Sequence, residues 1–309
     1  MNLSYDVIII GAGPAGLTSA IYLGRAKIKT LVMEKVTLGG KLLVIDNLEN
    51  YPGFSDGING FELASKLDSQ SKKFGAEFIF EEVKSIKKEN NLFKIVANKN
   101  EYISRAVVVA SGSTYQHLNV DGEERLIGKG VSFCATCDGA FFKEQVIAVV
   151  GGGNSALEEA LFLTRFAKEV YVIHRRDEFR AVKILQERIK DNPKTKTVLS
   201  SMVIKICGEN KVESVIINNV KDNKVTELKM DGIFIAIGQT PNTDFCKNLL
   251  KLDEKGYIIT NQYLESSISG IYAIGDVRNT ELRQVATAVG DGAYVSAMIE
   301  KYLQNGGKS

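Results

Sequence analysis

What most constrains this chain is a glycine pattern that occurs twice in the same local setting. The chain opens "YDVIIIGAGPAGLTSAIYLGRAKIKTLVMEK". An apolar run over residues 5–10 leads into Gly11-x-Gly13-x-x-Gly16, then a helical stretch, then a second apolar run, "TLVME", that ends in Glu34. This order predicts a strand–helix–strand unit. Gly11 permits a tight turn, Gly13 lets a pyrophosphate approach the backbone, and Gly16 lets helix and strand pack closely. The phosphates then lie at a helix N-terminus, where free N–H groups and the dipole favour negative charge. Glu34 follows Gly16 by 18 residues, close to where such a fold sets an acid against a ribose.

The pattern returns in "QVIAVVGGGNSALEEALFLTRFAKEVYVIHRRDEFR". A strand over residues 145–150 runs into Gly151-x-Gly153-x-x-Ala156, a helix and the strand "EVYVI". Both copies continue into stretches with period-two alternation, near 77–83, 92–97 and 102–109 in the first and near 197–206, 211–217 and 224–230 in the second. Both close on an apolar strand ending in glycine, "AVVVASGS" and "GIFIAIGQT". This is an internal duplication rather than a short-period solenoid. The chain is α/β with two dinucleotide-binding, Rossmann-like lobes.

The copies differ at the end of their second strands. The first has Glu34; the second has His174, Arg175, Arg176 and, four positions on, Arg180. An acid accepts from a ribose 2′-hydroxyl and repels a 2′-phosphate, whereas an arginine cluster does the opposite. The second lobe therefore reads as an NADPH site, the bland alternative being a solvated basic helix start.

At 309 residues the chain has room for two ordinary domains. Its 39 basic and 37 acidic side chains leave a net charge of +2, which gives no electrostatic case for nucleic acid or an anionic membrane. No apolar run approaches the ~20 residues of a membrane span. The start, "MNLSYDVIII", enters a strand directly without the marks of a signal peptide, so a cytoplasmic location is expected. Four cysteines do not make a secreted disulfide framework.

Near the C-terminus, "GIYAIGDVRNTELRQVATAVGDGAYVSAMIEKYL" predicts a short strand to Ile274, then Gly275-Asp276, a loop, and a helix from about Gln284. Asp276 could meet a polyol or ribityl chain, and the helix start could face a ring that becomes anionic on reduction. An ordinary strand–loop–helix fits as well. "AVGDGA" puts two glycines in a helix, which suits either close approach to a bound group or close helix packing.

Two cysteines stand in "GVSFCATCDGAFF": Cys134 and Cys137, with Asp138 next to the second. A zinc site needs about four ligands. The remaining candidates, Cys207, Cys246, His117 and His174, are scattered, and no metal is expected. An inert buried pair is disfavoured by the two nearby glycines and the acid. A redox dithiol needs two sulfurs one helical turn apart and a group to move a proton, and Asp138 could serve if burial raises its pKa. With two nucleotide lobes this makes a two-electron relay from nicotinamide through flavin to disulfide.

The whole chain resembles the bacterial-type, low-molecular-weight thioredoxin reductases. The resemblance rests on "GAGPAG", "ENYPG", "FCATCDG", "GGGNSALEEA", "HRRDEFRA", "AIGQTPNT" and "GDVRNTELRQVATAVGDGA". It implies two domains of three-layer β/β/α build: an FAD domain at 1–114 and 243–309, and an inserted NADPH domain at 115–242. FAD would be held by Gly11, Gly13, Pro14, Ala15, Gly16, Glu34, Lys35, Gly40, Lys41, Asn50, Val83, Gly112, Asp276, Arg283, Gln284 and Val285. NADPH would be held by Gly151, Gly152, Gly153, Asn154, Ser155, His174, Arg175, Arg176, Arg180, Ile237 and Gly238. Cys137 would face the flavin, Cys134 would attack the thioredoxin disulfide, and Asp138 would act as acid–base. The resemblance also implies a homodimer, and lobes that rotate about "GSTYQ" and "TPNTD". Lys41 stands where the family often has Gln.

Among rivals, reductases of electron-carrier proteins generally lack this C-x-x-C, and dithiol oxidases need no NADPH site. A peroxidase-system reductase carries an extra N-terminal dithiol domain. A nucleotide-binding redox sensor without turnover would keep both cofactors.

Overall fold

The structure, a computed structural model, describes residues 3–45 and 47–306. Residues 1–2, 46 and 307–309 of the expected domain ranges lie outside it. The chain forms two compact units, one reaching Thr114 and resuming at Thr240, the other Tyr115–Gln239.

The elements of the first unit begin with β1 (Leu3–Ile10), α1 (Pro14–Arg25), β2 (Thr30–Glu34), α2 (Gly60–Lys73), β3 (Glu77–Phe80), β4 (Val83–Glu89), β5 (Leu92–Ala97) and β6 (Glu101–Val109). The chain leaves this unit through β7 (Ser113–Tyr115). The second unit holds β8 (Val131–Ser132), α3 (Ala135–Asp138), β9 (Val146–Val150), α4 (Asn154–Leu163), β10 (Glu169–Ile173), α5 (Lys183–Asp191), β11 (Thr195–Val198), β12 (Ser201–Cys207), β13 (Ser214–Asn219), β14 (Val225–Lys229) and β15 (Gly232–Ile235). The return strand β16 (Gln239–Pro241) pairs with β7, and β17 (Ile271–Ala273) and α6 (Val285–Gln304) complete the first unit.

In the first unit β1 lies parallel between β2 and β6, and β17 pairs parallel to β6. Both faces of this sheet are covered, which is why its strands read as unbroken apolar runs. Val7, Ile9, Val32 and Val108 face a core shared with α1, α2 and α6. Ile8, Ile10, Leu31, Met33, Val107 and Val109 face another core with Ile86, Phe93 and Ile95 of the β4–β5 hairpin. Strand β6 serves both parts: β1 runs parallel along one edge, while the other edge pairs antiparallel with β5 over its first half and parallel with β17 over its end.

Helix α6 packs against α1. A Cβ at Gly292 would lie 2.4 Å from the Ala15 carbonyl oxygen, and Ser296 Oγ lies 3.2 Å from Ser19 Oγ. Close helix packing thus explains one of the two glycines of "AVGDGA". A Cβ at the other, Gly290, would meet nothing within 4 Å.

The second unit repeats the plan. Parallel strands in the order β11-β10-β9-β15-β8 carry α4 and α5 on one face and the antiparallel β12-β13-β14 sheet on the other. Ile147, Val149, Val170 and Val172 point to the helices, and Ala148, Val150, Ile233 and Ile235 to Val203, Ile206 and Val215.

Two expected β stretches each divide in two. Residues 77–83 break at Glu81, whose buried carboxylate accepts from the Asn100 backbone N–H and side-chain amide and from the Tyr102 hydroxyl. Residues 197–206 break at Ser200, which is in the left-handed region at φ 49°. In both, the first piece extends the parallel sheet and the second starts the antiparallel layer.

Candidate functional site

The first glycine loop joins β1 to α1. Gly11 has φ 107°, and a Cβ there would lie 2.3 Å from the Ala110 carbonyl oxygen; one at Gly16 would lie 2.0 Å from the Gly11 carbonyl oxygen. The protein itself therefore demands these two glycines. Gly13 is different. It caps α1 in an extended conformation, and a Cβ there would meet nothing within 4 Å. A bare backbone facing open space at a helix N-terminus, with Pro14 leading the first turn and Ala15 behind it, fits a phosphate approaching closely.

Glu34 ends β2 beside this loop. Its carboxylate accepts from the Ala12 N–H at 3.0 Å and from the N–H groups of Lys35 (2.8 Å) and Val36 (3.3 Å). The segment after it folds over the loop: the Gly39 N–H donates to Ala12 O at 2.8 Å, and a Cβ at Gly40 would lie 3.3 Å from Gly13 Cα. From the 3₁₀ turn Gly40–Val44, the Lys41 ammonium donates to Asp276 Oδ2 and to Ser113 Oγ, both at 2.8 Å.

Asp276 sits in a turn that a further acid secures. Asp291 on α6 accepts from the Gly275 N–H (2.9 Å) and from Arg278 Nε (2.7 Å) and Nη2 (3.0 Å). Gln284 is the N-cap of α6, in a reciprocal box with Thr287, and accepts from the Asn50 amide at 3.2 Å. Val285 opens the helix. Arg283 lies 4.1 Å over the Tyr257 ring, and its Nε is buried without a hydrogen-bond partner among the described residues. Gly112 follows β6 at φ 66° with open space at its Cβ position. Val83 is buried in the core beneath the sheet as the first residue of β4.

In the second unit the loop between β9 and α4 is built alike. A Cβ at Gly151 would lie 2.4 Å from the Ala236 carbonyl oxygen, and one at Gly152 would strike the His174 ring at 2.4 Å. Gly153, the N-cap of α4, again meets nothing within 4 Å. The N–H groups of Arg180 (2.7 Å) and Ala181 (3.2 Å) donate to Gly152 O, and that of Val182 to Asn154 Oδ1 at 2.9 Å. These bonds fix the arginine segment beside the loop, with Arg175, Arg176, Arg180 and Ser155 exposed. His174 is buried, stacked on Phe179, and forms the floor of the loop; burial and the three arginines lower its pKa. Ile237 is half-buried, and Gly238, at φ 117°, accepts from the Gln116 N–H.

Cys134 and Cys137 form a disulfide with Cα atoms 5.3 Å apart. Cys134 caps the one-turn helix α3, and its carbonyl accepts from the N–H groups of Cys137 (3.2 Å) and Asp138 (3.1 Å). Thr136 Oγ1 lies 3.4 Å from Cys134 Sγ. Burial pushes the Asp138 carboxyl above the usual carboxylate range, opposed by a hydrogen bond from Ser132. Next to Cys134, Phe133 stacks on Tyr115 and meets the His117 ring edge-on, and His117 pairs with buried Glu123. Cys207 is half-buried and Cys246 buried, and both are free thiols. Among the described residues there is no cluster of metal-ligating side chains, and no helix long and apolar enough to cross a membrane.

Two glycine loops of nucleotide-binding form and a dithiol turn with a half-buried acid define a nucleotide-dependent disulfide oxidoreductase. The family model described as pyridine nucleotide-disulphide oxidoreductase matches residues 5–292. Thioredoxin reductase from Bacillus subtilis is 44% identical over 97% of this chain and 95% of its own length. The enzyme of Treponema pallidum is 42% identical over 98% of both chains. The crystal structure of thioredoxin reductase from Streptococcus pyogenes, 44% identical, superposes with a TM-score of 0.95 over 99% of this chain and all of that one. The chain belongs to the pyridine nucleotide-disulphide oxidoreductases, among the thioredoxin reductases.

Sequence patterning passes over Ser132, Ser113 and Asp291. Ser132 had one local sign, a hydroxyl residue two positions before Cys134, the spacing of a serine turn. The acid inside "AVGDGA" was the sign for Asp291. Ser113 meets Lys41 only through the fold.

Proposed function

We propose that this protein is an NADPH-dependent reductase of thioredoxin disulfide. FAD belongs on the unit that carries Gly11, Glu34, Asn50 and Asp276. NADPH belongs on the inserted unit that carries Gly151 and the arginines. The observation that carries the proposal is the Cys134–Cys137 disulfide on a turn whose next residue is a half-buried acid that accepts from the Ser132 hydroxyl.

FAD, when bound, supplies the two-electron link between nicotinamide and this disulfide. The chain's own groups do the rest. In the reduced dithiol, the Cys134 thiolate attacks one thioredoxin sulfur, forming a mixed disulfide and releasing the other as a thiolate. The Cys137 thiolate then attacks Cys134 Sγ, re-forming the internal disulfide and releasing the second thioredoxin sulfur. Asp138 takes the proton from the thiol that must attack and gives it to the sulfur that leaves. Burial raises this carboxyl, which favours its holding a proton between the two tasks. Arg175, Arg176 and Arg180 pair with a 2′-phosphate. The same reading makes the protein a cytoplasmic homodimer.

The test is anaerobic NADPH oxidation by the purified protein with and without oxidised thioredoxin. Rapid oxidation that requires thioredoxin is the expected result. Flavin reduction without thioredoxin turnover would refute the acceptor.

A further inference from the structure

Ser132 lies at the end of β8, paired in register with Phe234 of β15, and is 4% exposed. Its Oγ accepts from the Cys134 N–H at 3.1 Å and lies 2.5 Å from Asp138 Oδ2. The Cys134 carbonyl oxygen is farther away, at 3.5 Å. A hydroxyl has one proton and two lone pairs. Here the proton goes to the nearer acceptor, the Asp138 carboxylate, and a lone pair takes the Cys134 N–H. The accepting half is an ordinary serine turn. The donating half is not local, because it ties an acid six positions on to the backbone of the first cysteine.

We propose that Ser132 is a positioning residue of the dithiol centre, whose hydroxyl joins the Cys134 backbone to the Asp138 carboxylate and fixes that acid on the turn bearing both sulfurs. It rests on the function proposed above, in which Asp138 moves the proton. Strand β8, buried at the edge of the sheet and paired to β15, gives the hydroxyl a firmer base than a side chain on the short turn itself would have. The hydroxyl also stabilises the ionised carboxylate against burial. Losing it leaves the carboxyl free to rotate and easier to protonate. The ionisable side chains on the elements packed against α3 are Glu158 and Glu159 of α4. The 3₁₀ turn Gly139–Phe142 and strand β15 bring none.

The test is the acid limb of kcat/KM for thioredoxin against pH, in the flavin-loaded protein, for Ser132→Ala, Ser132→Gly, Ser132→Thr, Asp138→Asn and Glu159→Gln. Loss of one hydrogen bond to a carboxylate predicts an upward shift of about one pH unit in the Ala and Gly variants. Ser132→Thr, which keeps the hydroxyl, should restore the wild-type profile. Either hydroxyl-free variant is sufficient if the other does not accumulate. In the Asp138→Asn background, Ser132→Ala should move the limb no further. Glu159→Gln identifies any limb that belongs to that carboxyl. An unmoved limb in folded Ser132→Ala or Ser132→Gly protein overturns the proposal, as does an equal shift in Ser132→Thr. If Asp138→Asn itself leaves the limb unmoved, the acid–base role of Asp138 fails instead.

Discussion

The Lys41 ammonium lies 2.8 Å from the Asp276 carboxylate, 235 residues further along the chain, with the two side chains 28% and 19% exposed. Burial lowers the lysine's pKa and outweighs the opposing pull of Asp276. Removing the cation strands a mostly buried carboxylate. Lys41→Met should therefore cost on the order of 2 kcal/mol and lower the thermal midpoint by roughly 4 °C. Lys41→Gln keeps a donor and should lose less. Differential scanning calorimetry of the three proteins decides it, and equal midpoints would show that the pair contributes nothing.

The two middle glycines should behave unlike their neighbours. With nothing within 4 Å of either Cβ position, Gly13→Ala and Gly153→Ala should leave the thermal midpoint of the cofactor-free protein within about 1 °C. Gly13→Ala should lose flavin on dialysis, while Gly153→Ala should raise the KM for NADPH at least about tenfold. Gly16→Ala, whose Cβ would lie 2.0 Å from a carbonyl oxygen, should instead fail to fold stably.

The arginine segment is pinned to the second loop by backbone bonds to Gly152 O, so its side chains can be shortened without moving the loop. Arg175→Ala combined with Arg180→Ala should reduce the preference for NADPH over NADH by about 10- to 100-fold, the worth of one or two charge-assisted contacts. Steady-state kcat/KM with each nucleotide is the measurement, and an unchanged ratio would remove these arginines from the site.

Glu159 on α4 has a buried carboxylate oxygen, Oε2, without a partner among the described residues, and burial, helped by Glu158, pushes its carboxyl up to about 7. The unfolded chain releases this proton near 4.5 and the folded one near 7. Between those values the folded state holds the extra proton, so this group's contribution to stability falls as pH rises and levels off above 7. The loss amounts to about 3 kcal/mol. Glu159→Gln should flatten that decline and be the more stable protein at pH 8. Thermal midpoints from pH 4.5 to 8 test this, and parallel curves would contradict it.

Local spacing made the α/β class and the disulfide chemistry legible. The loops at Gly11 and Gly151 and the Cys134–Cys137 turn each lie within one strand–turn–helix, where chain geometry dictates residue type. What spacing could not reveal depends on partners far apart in the chain. The hydroxyl of Ser113 and the carboxylate of Asp276 meet on Lys41, and Asp291 reaches back to Gly275 and Arg278, only once the sheet is closed by β17 and α6. The breaks at Glu81 and Ser200 were hidden for the same reason. Alternation continues across them, and only pairing assigns the two pieces to different layers. His174, read from its place among arginines, turns out to be a buried ring under Gly152.

On the proposed function, electrons from NADPH reach the Cys134–Cys137 disulfide through a bound flavin. Anaerobic reductive titration of the flavin-loaded protein tests it most directly, comparing wild type with Cys134→Ser and Cys137→Ser. Wild type should take up twice the reducing equivalents per chain of either variant, because flavin and disulfide each accept a pair. Equal uptake by all three proteins would show that the disulfide lies off the electron path.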